Sequence, residues 1–358
     1  MNTFCVLPWV GREINWNDRE THCCLLPQNY NIDQIKSDLL TGVKTSACQK
    51  CWNLEEHGLK SDRQVKNSSL DFYWDRDIES IKQDAIDGNL NDILMLKLFT
   101  SYTCNATCVS CGPGFSSSWS QLLHKNNTKI QLNSSYKFID IDQLKTKVDF
   151  KELKMLSFVG GEPLYEKKNF DLLEYLVESG NTDIFLSMVT NGSVKLTSRQ
   201  KQVLSKFKNI NFSVSIDGIE SVFEYMRYPL DWTDLNNNLT FFRELTDNIS
   251  SNYTLSNLNI LSHTSTVEWF DKNNMVYSVN PVYNPSWLQP RALPVSIKKI
   301  LKRQLSAVDY NTFIGPVHTD QDQQNFQTML EQLKIQDAFK KIQMKNYLPE
   351  LHNMLTQY

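Results

Sequence analysis

Short apolar runs recur along the middle of the chain: Ile93 to Phe99, Leu153 to Val159, Ile184 to Val189, Ile210 to Ile216 and Tyr253 to Leu261. Each has the length of a strand, and near-continuous apolar runs suit a sheet covered on both faces, the usual setting of parallel strands. Between them the apolar positions take helical spacing. Phe170, Leu173, Leu176 and Val177 share one side of a helix that Gly180 closes, and residues 198–207 form a second with Ser198 as its cap. The repeated βα order, with right-handed crossovers, predicts an α/β protein on a partial (β/α)6 TIM-like barrel, with ligands at the carboxyl ends of the strands.

The fourth run has a period of two. Ile210, Phe212, Val214 and Ile216 lie on one face and Asn211, Ser213, Ser215 and Asp217 on the other. A solvated edge strand alternates in the same way, but in a parallel barrel both faces are buried, so a polar stripe must line something wet or ligand-filled. Residues 1–90 read as a small cysteine-rich module with its linker, 91–280 as the barrel and 281–358 as a helical extension. Pro281, Pro285, Pro290 and Pro294 mark an extended connection into that extension, and Asn236-Asn237-Asn238 reads as the start of a helix.

At 358 residues the chain is long enough for one large domain and an appendage. A hydrophobic content of 41% with 22% charged residues is globular composition, and a net charge of -3 argues against a general phosphate-binding surface and so against nucleic acid. No apolar run approaches the ~18 residues of a membrane span. The first residues lack the basic and apolar regions of a secretory signal, so the expected location is the cytoplasm, where thiols stay reduced. All eight cysteines fall before residue 112, which favours metal ligation over scattered core positions.

Three of them form C-x3-C-x2-C: Cys104, Cys108 and Cys111, directly after the first apolar strand. An iron-sulfur cube takes four thiolates, so three from one loop leave an iron free for a small molecule, by the open-position logic of catalytic zinc. A zinc knuckle, or three unrelated thiols, is the alternative reading. After the second strand comes Gly160-Gly161-Glu162-Pro163, whose glycines permit close backbone approach to a ligand; a plain turn has the same composition. The third strand ends in Thr190-Asn191-Gly192, and Arg227 follows the fourth.

Taken together, these motifs resemble the radical S-adenosylmethionine (radical SAM) family over roughly residues 92–280. The resemblance implies a [4Fe-4S] cluster on Cys104, Cys108 and Cys111 whose open iron is chelated by S-adenosylmethionine, with reductive cleavage to a 5'-deoxyadenosyl radical. It further implies that Gly160, Gly161, Glu162 and Pro163 hold the methionine ammonium, that Thr190 and Asn191 lie near the cofactor, and that Ser213, Ser215 and Asp217 meet its ribose. Arg227 would pair with its carboxylate, and Asn259, Ile260 and Leu261 would pack on adenine. The residue before the third cysteine is usually aromatic in the family and is Ser110 here, which weakens adenine packing rather than cluster ligation.

The remaining cysteines are Cys5, the pair Cys23-Cys24, and Cys48-x2-Cys51, with Glu55, Gly58, Ser61 and Arg63 beyond. A four-cysteine zinc ribbon satisfies this spacing. The arrangement also resembles the twitch domain of bacterial and phage radical SAM proteins, which implies a second, auxiliary [4Fe-4S] cluster on Cys5, Cys23, Cys48 and Cys51. Cys24 is the spare thiol, because neighbouring residues of a strand point to opposite faces; it reads as an ordinary buried thiol, with the ligand role in place of Cys23, or a hydrogen-donor role, as the alternatives. Trp9 and Trp16 are expected to shield the metal, His22 to be a bystander, and residues 71–77 to form an interdomain linker. The expected partners are a peptide, protein or small-molecule substrate and a low-potential electron donor such as flavodoxin or ferredoxin. The rival expectation is a non-catalytic, zinc-stabilised binding module on a barrel scaffold.

Overall fold

A computed structural model describes residues 3–15, 19–56, 58, 60–68, 70, 74, 76–90, 92–126, 128, 139–315 and 317–358. Among the described residues there are eight strands: β1 (Gly11–Asn15), β2 (Glu20–Thr21), β3 (Met95–Phe99), β4 (Met155–Val159), β5 (Phe185–Thr190), β6 (Asn209–Val214), β7 (Ile249–Leu255) and β8 (Val276–Pro281). They form a sheet in the order β2-β1-β3-β4-β5-β6-β7-β8. β1 pairs with β3, β3 with β4, β4 with β5, β6 with β7 and β7 with β8 in parallel, and the short β1–β2 pair is antiparallel. From β3 onward each strand is followed by helix, which is the (β/α)6 pattern of a partial TIM-like barrel.

The four clearest apolar runs became β3 to β6 within two residues or so of their expected ends. The fifth did not. Strand β7 covers Ile249–Leu255, not Tyr253 to Leu261, because Ile249, Ser251, Tyr253 and Leu255 alternate inward while Ile260–Ser262 forms a 3-10 turn. The side chain of Asn259 locks that turn: its Nδ2 donates to the carbonyls of Asp217 and Thr254, both at 2.8 Å, and its Oδ1 accepts from Ser256 N at 2.7 Å. Residues 259–261 therefore form no strand face.

The helices are set by their caps. Thr197, rather than Ser198, caps Ser198–Leu204 through a capping box with Gln200. Lys167–Glu178 closes with Gly180 at φ +75. Asn236-Asn237-Asn238 lies inside helix Trp232–Leu245, capped by Asp231, so the triplet continues that helix instead of starting it. The C-terminal segment is helical as expected, and its long member, Asp320–Lys340, opens with a capping box at Thr319. No helix among the described residues is long and apolar enough to cross a membrane.

The chain divides into two compact units. One comprises residues 1–101, 135–188 and 196–211; the other comprises 102–134, 189–195 and 212–358. In the first, Phe4, Val6, Trp9, Val10, Ile35, Trp52 and Ile81 pack with Met95, and Met155 lies against the same cluster. The N-terminal residues thus share a core with the parallel strands, and β1 extends the sheet in register from Gly11↔Met95 to Asn15↔Phe99. In the second unit the core includes Phe212 stacked on Phe242 at 4.3 Å, with Tyr253, Phe270 and Phe326 buried.

Candidate functional site

Within the second unit, the loop carrying Cys104, Cys108 and Cys111 is held by its backbone. Thr107 N donates to Tyr228 O at 2.6 Å and Val109 N to Met226 O at 2.9 Å, so the segment ending in Arg227 runs alongside it. The hydroxyls of Ser117 and Ser118 donate to Cys104 O, Ser116 Oγ donates to Ala106 O, and Trp119 Nε1 donates to Cys108 O at 2.9 Å. Helix Ser117–Lys125 therefore clamps the loop from one side, using a run of serines that sequence reading passed over.

Two side chains then address the thiols. Asn191 Nδ2 lies 3.9 Å from Cys104 Sγ and donates to Asn105 Oδ1 at 2.8 Å, while Asn105 Nδ2 donates to Ser193 Oγ. Arg227 Nη1 lies 4.0 Å from Cys108 Sγ, and its Nη2 pairs with Asp217 Oδ2 at 2.8 Å. Donors aimed at ligating sulfur tune a metal centre from its outer shell. Arg227 Nε is buried without a hydrogen-bond partner, so this guanidinium retains one donor for something else.

The cysteines themselves are half-buried. Burial pushes the Cys108 thiol up against the opposing pull of Arg227, and burial with Cys108 nearby pushes Cys111 up to about 12. Loading a metal here must therefore release protons.

The polar stripe of β6 is likewise accounted for. Ser213 Oγ accepts from Asn252 Nδ2 at 2.8 Å, Ser215 N donates to Thr190 O at 2.8 Å, and Asp217 Oδ1 accepts from Thr254 N at 2.9 Å. Asp217 is fully buried and committed to Arg227. Thr190 Oγ1 accepts from Gly192 N and closes the turn after β5.

In the first unit, Gly160 follows β4 with φ +136, and a Cβ there would meet Ser101 O at 2.7 Å. Gly161 N donates to that same carbonyl at 3.1 Å. Only glycine fits position 160. Glu162 is 1% exposed, and its Oε1 accepts from Leu164 N at 3.1 Å to cap the 3-10 turn Pro163–Tyr165.

Also in this unit, Cys5, Cys23, Cys48 and Cys51 line one pocket together with Asp62 and Arg63. Cys48 ends a 3-10 turn and Cys51 sits in the first turn of helix Gln49–Glu56. The later polar residues brace the pocket: Arg63 makes a two-pronged pair with Glu55 at 3.0 and 2.7 Å, and its Nη1 donates to Phe4 O at 2.8 Å beside Cys5. Residues 23 and 24 lie past the end of β2 in a turn, so strand alternation does not separate them, and the two thiols and Asp62 lie within 4.8 Å of one another. The hydrogen bond between the two thiols lowers Cys24 to about 7 and raises Cys23. Trp9 packs on Phe4 at 5.1 Å between ring centres, and His22 is held neutral by burial and faces Tyr30 Oη at 3.0 Å. Trp16 and most of residues 71–77 lie outside the described residues.

Tetrahedral zinc with Zn–S bonds of ~2.3 Å draws its thiolates to about 3.8 Å of each other. Among the described residues, Cys23, Cys24 and Asp62 are the only three such ligands mutually within 4.8 Å; neither Cys104, Cys108 and Cys111 nor Cys5, Cys48 and Cys51 are that close.

The C-x3-C-x2-C loop follows β3 and Gly160–Pro163 follows β4, whereas Thr190 ends β5 and Ser213 lies within β6. No protein-family model and no curated protein matches the chain. Among solved structures, native anSMEcpe with bound AdoMet aligns with a TM-score of 0.42 at 18% identity, over 53% of this chain and 52% of that one. SuiB of Streptococcus suis, bound to precursor peptide SuiA, aligns at 0.41 and 14%, over 85% and 69%, and TYW1 with a lysine-pyruvate adduct at 0.31 and 15%, over 57% and 70%. The chain spans about half the length of the first of these. Likeness at this level carries no argument about chemistry, which rests on the chain's own residues.

Proposed function

We propose that this chain is a radical SAM enzyme whose Cys104, Cys108 and Cys111 hold a [4Fe-4S] cluster with one iron open to S-adenosylmethionine. The observation that carries the reading is the loop itself: three half-buried thiols, two of them addressed by the side chains of Asn191 and Arg227. When bound, the cluster and S-adenosylmethionine supply one-electron cleavage of a carbon–sulfur bond and a radical that abstracts hydrogen. The protein's part is positioning. Asn191 orients the Cys104 corner, and Arg227 offers its unpartnered Nε to an anionic group. Ser213 and Ser215 are the hydroxyls that meet the sugar, while Asp217 acts through Arg227.

The substrate is a peptide, protein or small metabolite, and a flavodoxin or ferredoxin delivers the electron. The pocket of Cys5, Cys23, Cys48 and Cys51 holds a second cluster. A second reading of that pocket, favoured by the closeness of Cys23, Cys24 and Asp62, places one zinc there instead. Counting iron and sulfide in oxygen-protected protein separates the two, since two clusters require about eight irons per chain and one requires about four. The main reading is tested by 5'-deoxyadenosine formation with a strong reductant. Cys104→Ala, still folded, should lose it, and unchanged turnover in that variant would refute the ligand assignment.

A further inference from the structure

Lys340 ends helix Asp320–Lys340 and is only 5% exposed. Its Nζ lies 4.8 Å over the ring of Trp119, whose Nε1 donates to Cys108 O, and donates one hydrogen bond, 3.2 Å long, to the neutral Gln336 Oε1. Among the described residues no carboxylate pairs with it. The nearest acid along its helix, Asp337, is engaged by Tyr225 Oη at 2.9 Å and Met344 N at 2.8 Å. A buried ammonium without an anion is costly. Burial presses Lys340 down to about 8, with the negative form of Cys108 opposing that shift ahead of Asp337.

Arg227 approaches the same thiol from its own segment, 4.0 Å from Cys108 Sγ, and Asp217 balances only Arg227. Arg227 thus has a carboxylate of its own, whereas Lys340, over the Trp119 ring that holds Cys108 O, has none among the described residues. The arrangement is completed by negative charge at the loop.

We propose that Lys340 is the counter-ion of the metal centre held by Cys104, Cys108 and Cys111, a positioning residue that favours the centre's reduced state. The inference rests on the cluster reading above. One electron from an external low-potential donor adds one negative charge at the centre and moves no proton, so a fixed cation beside it stabilises the reduced form more than the oxidised one. The C-terminal helix is thereby part of the redox site and not only a scaffold.

The test compares intact wild-type protein with Lys340→Met and Lys340→Arg, measuring iron content and the reduced fraction of the signal that responds to added S-adenosylmethionine, at one fixed solution potential. Lys340→Met should keep its iron and lower the ratio of reduced to oxidised centre by on the order of tenfold, and Lys340→Arg should restore it. An unchanged ratio in Lys340→Met overturns the counter-ion role and leaves the cluster reading intact; absence of any responsive signal in wild type overturns the cluster reading itself. Should Lys340→Met fail to retain iron, Lys340→Arg decides: iron and ratio near wild type support the role, and failure to restore them overturns it.

Discussion

Removing the charge of Asp217 probes how the loop's surroundings are held. Asp217→Asn keeps the size of the side chain and its acceptor for Thr254 N, 2.9 Å away, but leaves the buried Arg227 guanidinium without its carboxylate at 2.8 Å. Breaking a buried pair from one side costs about 3–5 kcal/mol, because the surviving charge is left uncompensated. Arg227→Met, which strands the carboxylate instead, should cost a similar amount. The double variant removes both charges and should lose less than the two single losses combined, by about 1.5 kcal/mol or more. Urea unfolding of metal-free, reduced protein, read as a shift in midpoint at constant slope, measures each corner of the cycle. Losses that add to within about 0.5 kcal/mol would refute the claim that the pair acts as a unit.

His263 supplies the pH prediction. It is 3% exposed, stacked on Tyr253 at 5.7 Å between ring centres, and burial lowers its pKa with Asp309 opposing. A folded pKa below the unfolded value of about 6.5 means that its contribution to stability is present above that pH and is lost as pH falls. Melting temperature should therefore drop more between pH 7 and 5 in wild type than in His263→Gln, and parallel profiles would show that another group is responsible. For the N-terminal pocket, Cys48→Ala should remove the iron of the second cluster while Cys24→Ala retains it. Equal loss in both, measured as iron per chain, would make Cys24 a ligand.

The central strands were legible because runs such as Leu153 to Val159 are buried on both faces and carry little else. β1 was not, since Gly11-Arg-Glu-Ile-Asn15 has no apolar run and owes its strand conformation to pairing with β3. β8 was missed for a related reason: Val276–Pro281 alternates between exposed and half-buried positions, and its Pro281 reads as the start of a loop.

The motif residues were visible as residue types at set spacings, but their partners were not. That Asn191 turns toward Cys104, or that Arg227 divides itself between Asp217 and Cys108, depends on contacts across 87 and 119 positions of chain. Lys340, further still from the loop in sequence, carries no local signal beyond being a lysine at a helix end. Strand alternation could not separate Cys23 from Cys24, because both lie beyond the end of β2 at Thr21.

The central claim is that the three-thiol loop holds a cube with one iron open to S-adenosylmethionine. Electron paramagnetic resonance of anaerobically reduced protein, recorded before and after addition of S-adenosylmethionine, tests it most directly. The account predicts a reduced-cluster signal that changes shape on addition and is absent from Cys108→Ala; a signal indifferent to S-adenosylmethionine, or one that survives in that variant unaltered, would contradict it.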